Sequence, residues 1–195
     1  MRLGLGDAVA RRSAELINKA GQTQINGPHS TGLTGPVTFS VAPVDLPNVR
    51  FLQSLGNLNP PGHTFPTDHI YFYYNYVNVG LNINPIATST ANACAGGCPV
   101  YALADGFISE IQSGADYGPV ANQFRVTFVY TDTFSSYYDH MSGLAPAIVA
   151  QAGAITPFGN LSTWIPVKAG QLVGSTGGVT GENALDLGVN DLQVA

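Results

Sequence analysis

Charge is what this sequence has least of. Only 10% of its 195 residues are Asp, Glu, Lys or Arg, where an average soluble domain carries about a quarter. Basic residues thin out along the chain: beyond Arg50 only Arg125 and Lys168 remain, and the formal net charge is -5. No cationic groove exists to neutralise phosphates, which excludes nucleic acid as a partner. Long apolar runs are also missing. Nothing approaches the ~20 residues of a membrane-spanning helix, and the first residues lack the apolar core of a signal peptide. Cysteine is limited to Cys94 and Cys98, too few for the four-thiolate site that structural zinc favours.

Small and polar residues fill the gap, with Gly at 23 and Pro at 13 alongside Ser, Thr and Asn. That profile suits a β-protein that is secreted or displayed at the cell surface or envelope; export would imply a leader already removed from this chain. The length is that of about one domain with a sizeable core. In an oxidising compartment the pair in "NACAGGCPV" reads as a small disulfide in a Gly-rich turn, the other reading being two buried thiols.

One helix is expected. In "DAVARRSAELINKAG" Asp7 is placed to cap, Val9, Leu16 and Ile17 give a partial apolar stripe, and Gly21 stops it. Residues 21–37 then show linker composition without a period. The expected organisation is a helix and linker over 1–37 and a β-rich domain over 38–195, which stops just past its last strand-like segment as a truncated domain would. Within that domain the period is two. "VTFSVAP", "IYFYYNYVNVG", "VYALADGFISEI", "FRVTFVYTD" and "SSYYDHM" all read as strands. In "FRVTFVY", Phe124, Val126, Phe128 and Tyr130 share a face that the pattern buries.

Four segments in order carry a resemblance: "PVYALADGFISEI", "FRVTFVYTDTFSSYYDHMSGL", "VKAGQLVGSTGG" and "NALDLGV". They resemble successive motifs of the lysostaphin-like zinc endopeptidases, which cut peptidoglycan cross-bridges, and the match covers about residues 60–190. The resemblance implies an all-β fold of twisted antiparallel sheets built from a duplicated hybrid motif, here with the one short N-terminal helix outside it. That family holds zinc with the His and Asp of "HxxxD" and the second His of "HxH". The other "HxH" histidine and the histidine of "YxHL" act on the attacking water. His140 falls on "YxHL", Asp186 on the second His of "HxH", and Ala184 on the first.

The remaining ligands are expected from "GHTFPTDHIYF", residues 62–72. His63 and Asp68 stand one residue too far apart for the family spacing, and His69 is followed four residues later by Tyr73 instead of Asp. Neutral imidazoles and carboxylates converging on one point are nevertheless what a metal requires. The candidate ligands of a Zn2+ are therefore His63, Asp68, His69 and Asp186, with His140 as the catalytic group. Leu185 and Leu187 pointing to the core would turn Ala184 and Asp186 to the groove.

The expected function is a divergent metal-dependent hydrolase acting on a cell-wall peptide or glycan. The competing reading is an inactive module of the same fold with a binding or structural role at the cell surface. A lipoyl or biotinyl carrier is excluded, because Lys168 lies in the wrong turn. "GQLVGSTGGVTG" lacks the Lys-Ser/Thr ending of a phosphate loop. Most of the nine tyrosines read as core, and His29 has no assigned role.

Overall fold

The computed structural model describes residues 29–33, 35–56, 67–74, 97–114, 123–177 and 184–192. Among these, nine strands form a mostly antiparallel sheet assembly: β1 (Phe51–Gln53), β2 (His69–Tyr73), β3 (Cys98–Tyr101), β4 (Gly106–Ser113), β5 (Phe124–Val129), β6 (Phe134–Leu144), β7 (Asn160–Val167), β8 (Leu172–Thr176) and β9 (Ala184–Asp191). A helix, α1 (Pro146–Ala152), lies between β6 and β7. Neighbours run β1-β2-β9-β6-β5-β4-β7, while β8 pairs with both β3 and β6.

The period-two reading of β5 holds. Val126 and Phe128 are fully buried, as are Ile108 and Ile111 of β4, Tyr138 of β6 and Leu185 of β9. They form one apolar cluster, each such side chain contributing about 1.5–3 kcal/mol by leaving water. The opposite face departs from the simple pattern of one buried side. Glu110, Thr127, Asp139 and Asp186 point away from that cluster and are buried too. The sheet thus carries a covered polar face.

β6 is the strand that shapes the site. It pairs with β9 over Phe134–Asp139 and with β8 over Met141–Leu144, with an irregularity between Met141 and Gly143. His140 sits where the partner changes. β8 comes so close that a Cβ on Gly174 would lie 2.1 Å from the Gly143 carbonyl oxygen, so only glycine fits there.

Several expectations are corrected. The strand read in "SSYYDHM" runs further than its pattern suggests, through "MSGL" to Leu144, because pairing with β8 satisfies the backbone there. "VTFSVAP" forms no strand; its neighbour Val44 makes only an isolated bridge with Val100. α1 was not foreseen, although Pro146 in its first turn and the left-handed Gly153 after it (φ 75°) are ordinary start and stop signals. The expected N-terminal helix, residues 75–80 of "IYFYYNYVNVG", His63 and Cys94 lie outside the described residues. Of the 21–37 segment, residues 30 and 31 are tied to the β5–β6 turn: Ser30 Oγ and Thr31 N donate to the Asp132 carboxylate at 2.6 and 2.8 Å.

Candidate active site

β2, β9 and β6 lie side by side, and their registers place Tyr71 beside Asp186 and Asp186 beside Asp139. One row away His69, Gly188 and Tyr137 are aligned in the same manner. Because side chains alternate along a strand, all of these share the polar face. The expected alternation in β9 is therefore found: Leu185 and Leu187 join the core and Asp186 faces the groove.

Gly188 makes room for the next contact. A Cβ there would lie 2.1 Å from the Tyr137 ring, so glycine lets that ring lie across β9. Its hydroxyl then reaches His69 Nδ1 at 3.3 Å and Asp68 Oδ1 at 3.4 Å. On its other side Tyr137 meets the Arg125 guanidinium, 5.0 Å from the ring centroid.

His69 is held at both nitrogens. Asp68 Oδ1 lies 2.8 Å from Nδ1, and the Tyr71 hydroxyl 2.8 Å from Nε2. A carboxylate only accepts, so Nδ1 carries the proton and, in the neutral ring, Nε2 presents its lone pair. That lone pair accepts from the Tyr71 hydroxyl, and Asp186 Oδ2 lies 3.5 Å from the same nitrogen. The same oxygen lies 3.2 Å from His140 Nε2.

Asp186 itself is almost fully buried, and among the described residues its Oδ1 has no hydrogen-bond partner. Burial raises its pKa above the ordinary carboxyl value, while the hydrogen bond and charge of His140 and the charge of His69 pull it down. A buried carboxyl group in this state favours a proton or a cation beside it.

His140 has left-handed backbone, with φ 62°. Its N–H donates to Asp139 Oδ1 at 3.0 Å, and its carbonyl accepts from the Thr176 hydroxyl at 2.8 Å. Asp139 is fixed in turn by Arg125, through Nε at 3.0 Å and through Nη2.

The structure thus brings together His69, His140 and Asp186. It places Asp68 behind the His69 ring, on the nitrogen that points away from Asp186, so Asp68 orients that imidazole instead of sharing an ion with Asp186. Tyr73, at the family's Asp position, turns its hydroxyl to Gln53 Oε1 of β1 at 3.4 Å. The sequence reading missed Tyr71, Tyr137 and Thr176. Tyr71 had a signal: it stands two residues after His69 in a strand and so on the same face. His29 rests on Trp164, ring centroids 5.3 Å apart, away from this cluster.

No family model matches the sequence, and no curated protein matches it. Similar solved structures are lysostaphin-like zinc peptidases. A zinc-containing peptidase from Vibrio cholerae is 20% identical with a TM-score of 0.45, covering 80% of this chain and 37% of its own. Lysostaphin is 18% identical with a TM-score of 0.39, covering 70% and 42%. The catalytic domain of the prophage-encoded M23 protein EnpA from Enterococcus faecalis, in mutant form, is 20% identical with a TM-score of 0.40, covering 72% and 79%. The chain spans well under half the length of the first two.

The donor chemistry can be tested against zinc. Two donors ~2.0–2.2 Å from a tetrahedral ion stand roughly 3.3–3.5 Å apart, and His69 Nε2 and Asp186 Oδ2 are 3.5 Å apart. The 3.2 Å between His140 Nε2 and the same oxygen is a hydrogen bond. Among the described residues no group of three or more His, Cys, Asp or Glu could hold a metal ion. His69 Nε2 and Asp186 Oδ2 are spaced as two zinc donors would be, and no third protein ligand is among the described residues.

Proposed function

We propose that the chain is a divergent metal-dependent hydrolase that cleaves peptide bonds in cell-wall material, in a secreted or envelope-associated protein whose functional unit is residues 38–195. The observation that supports this most is the meeting of His69 Nε2 and Asp186 Oδ2. These two atoms, engaged by the Tyr71 hydroxyl and by His140 Nε2, lie beside Asp186 Oδ1, which has no hydrogen-bond partner among the described residues, and a cation would compensate that buried carboxylate.

Zinc bound there supplies a polarised carbonyl and a water whose pKa falls to about 7. The chain's own residues do the rest. Asp68 keeps the His69 proton on Nδ1 and so directs Nε2 to the groove. Of the two His140 ring nitrogens Nε2 is the one that faces the proposed ligands, 3.2 Å from Asp186 Oδ2, and it would be the atom that handles the proton of the attacking water. The left-handed turn at His140 is fixed by Asp139 and Thr176, so the ring is held in place before substrate arrives. Cys94 and Cys98 are proposed to form a disulfide.

One observation favours an inactive module of the same fold: Ala184 supplies no acid-base group where the resembling family has histidine. Metal analysis of the purified chain, zinc titration by calorimetry and release of amines from peptidoglycan separate the readings. About one zinc per chain with amine release supports the hydrolase. Zinc without release supports the module, and the absence of zinc binding overturns the metal-dependent reading.

A further inference from the structure

We infer that Glu110, Thr127 and Ser162 form a binding site for a primary ammonium group, the amine of a peptide, on the polar face away from the His69–Asp186 pair. The three stand in one row: Glu110 of β4 is directly opposite Thr127 of β5 on one side and Ser162 of β7 on the other. Directly opposed residues share a face. Thr127 lies between the core residues Val126 and Phe128, so the row belongs to the polar face. It runs on through Tyr137 and Gly188 to His69. Four strand spacings, roughly 19 Å, separate Glu110 from His69. The site needs no metal ion and stands apart from both readings of function given above.

Two buried oxygens in this row have nothing to bond. Glu110 Oε2 and Thr127 Oγ1 are without hydrogen-bond partners among the described residues, and both side chains are almost fully buried. A carboxylate left in that state costs stability. Burial raises the Glu110 pKa, although Gln112 bonds the group and the charge of Arg125 pulls the other way. Arg125 is already committed to Asp139, through Nε at 3.0 Å and through Nη2. Those two charges offset each other, and ionised Glu110 leaves one negative charge over.

That remainder defines the ligand. A primary ammonium carries one positive charge and three donors, and the row offers three oxygens, Glu110 Oε2, Thr127 Oγ1 and Ser162 Oγ. Entry is from β7, the last strand of the sheet path. Ser162 is exposed there, so a head arriving from solvent crosses one strand spacing of about 4.8 Å to reach Glu110. Trp164 follows Ser162 on the same face, stacked on Phe107 at 4.7 Å and 13°. Its ring gives an alkyl stem an apolar wall.

The test uses the zinc-free parent chain, E110Q and T127V. The probes are three tripeptide amides: acetyl-Ala-Lys-Ala with a side-chain amine, Ala-Ala-Ala with a free terminal amine, and acetyl-Ala-Ala-Ala with neither. Calorimetric titration at neutral pH reads each Kd. The parent is expected to bind one or both amines, which names the source, and to leave the fully acetylated peptide unbound. E110Q should weaken amine binding ~10-fold or more, as loss of a charge-assisted hydrogen bond does, and T127V by a smaller factor. Both substitutions remove a polar atom that has no partner in the free protein, so neither should lower Tm, and lost binding is not lost structure. Equal affinity of E110Q and the parent overturns the inference, as does acetylated peptide binding as well as the amines. A parent chain that binds no amine overturns it too and leaves Glu110 with a buried water only.

Discussion

The Thr176 hydroxyl lies 2.8 Å from the carbonyl of His140 and 2.7 Å from the carbonyl of Ala184, all of it buried. One side chain on β8 thereby ties the bend of β6 to the start of β9. The tie matters because His140 sits at φ 62°, and a non-glycine residue in a sparsely populated region costs of order 1–3 kcal/mol. Asp139 compensates on one side through the His140 N–H, and Thr176 on the other.

Replacing the hydroxyl by a methyl group should expose that cost. T176V keeps the shape and removes the single O–H that the two buried carbonyls share, so a loss of about 1–3 kcal/mol is expected. For a domain of this size each kcal/mol lowers Tm by about 2–4 °C. T176S, which keeps the donor, should lose less. A T176V melting curve that overlays the parent's would show that the His140 backbone is held by something else.

Glu110 gives the pH dependence. It is buried on the polar face, its Oε2 has no hydrogen-bond partner among the described residues, and burial raises its pKa above 4.5 despite Gln112 and Arg125. A carboxyl group whose folded pKa lies above its unfolded value binds its proton more tightly in the native state. Its contribution to stability is therefore fully present below about 4.5 and is lost as pH rises through the folded value. E110Q carries no such charge. It should melt above the parent at pH 7 to 8, and the gap should close as pH falls towards 4.5. A gap that stays constant with pH would mean that the carboxylate is compensated where it lies.

How much of this was readable beforehand differs from residue to residue. The core face of β5 and the outward turn of Asp186 follow from alternation alone, since a strand fixes side-chain direction every second residue. His140 was found through its place in "YYDHM", but its left-handed backbone was not, because Thr176 stands 36 residues away. Asp68 was taken for a ligand. In a segment just ahead of a strand, sequence spacing does not fix which way a carboxylate points, and here it backs the His69 ring. Tyr71 was counted with the core tyrosines. It is indeed buried, yet buried on the polar face, and burial on both sides of the sheet is a tertiary outcome that the strand's own pattern does not contain.

The cysteines offer a chemical check. Cys98 opens β3 in the core cluster, and no free cysteine is found among the described residues. The Cys94–Cys98 disulfide proposed above predicts no reactive thiol in the native, unreduced protein and two after reduction and unfolding. Two groups titrating before reduction would exclude the bridge and weaken the case for an oxidising compartment.

The site assignment makes a ranked prediction. D186N removes a charged ligand with little change in volume, so its zinc affinity should fall most. It should fold well, since burial already works against the Asp186 carboxylate. D68N leaves both proposed ligands but loses the carboxylate that orients His69 at 2.8 Å, and should weaken zinc by roughly 10–100-fold. H140A should bind zinc close to the parent's level while hydrolysis drops about 10²–10⁴-fold, because its assigned work is on the proton of the water. Calorimetric titration of the three variants reads the order directly. Should H140A lose zinc as fully as D186N, His140 is itself a ligand, and the 3.2 Å contact with Asp186 Oδ2 becomes an edge of the coordination shell. Should D186N bind as tightly as the parent, Asp186 holds no ion, and the inactive module becomes the reading that remains.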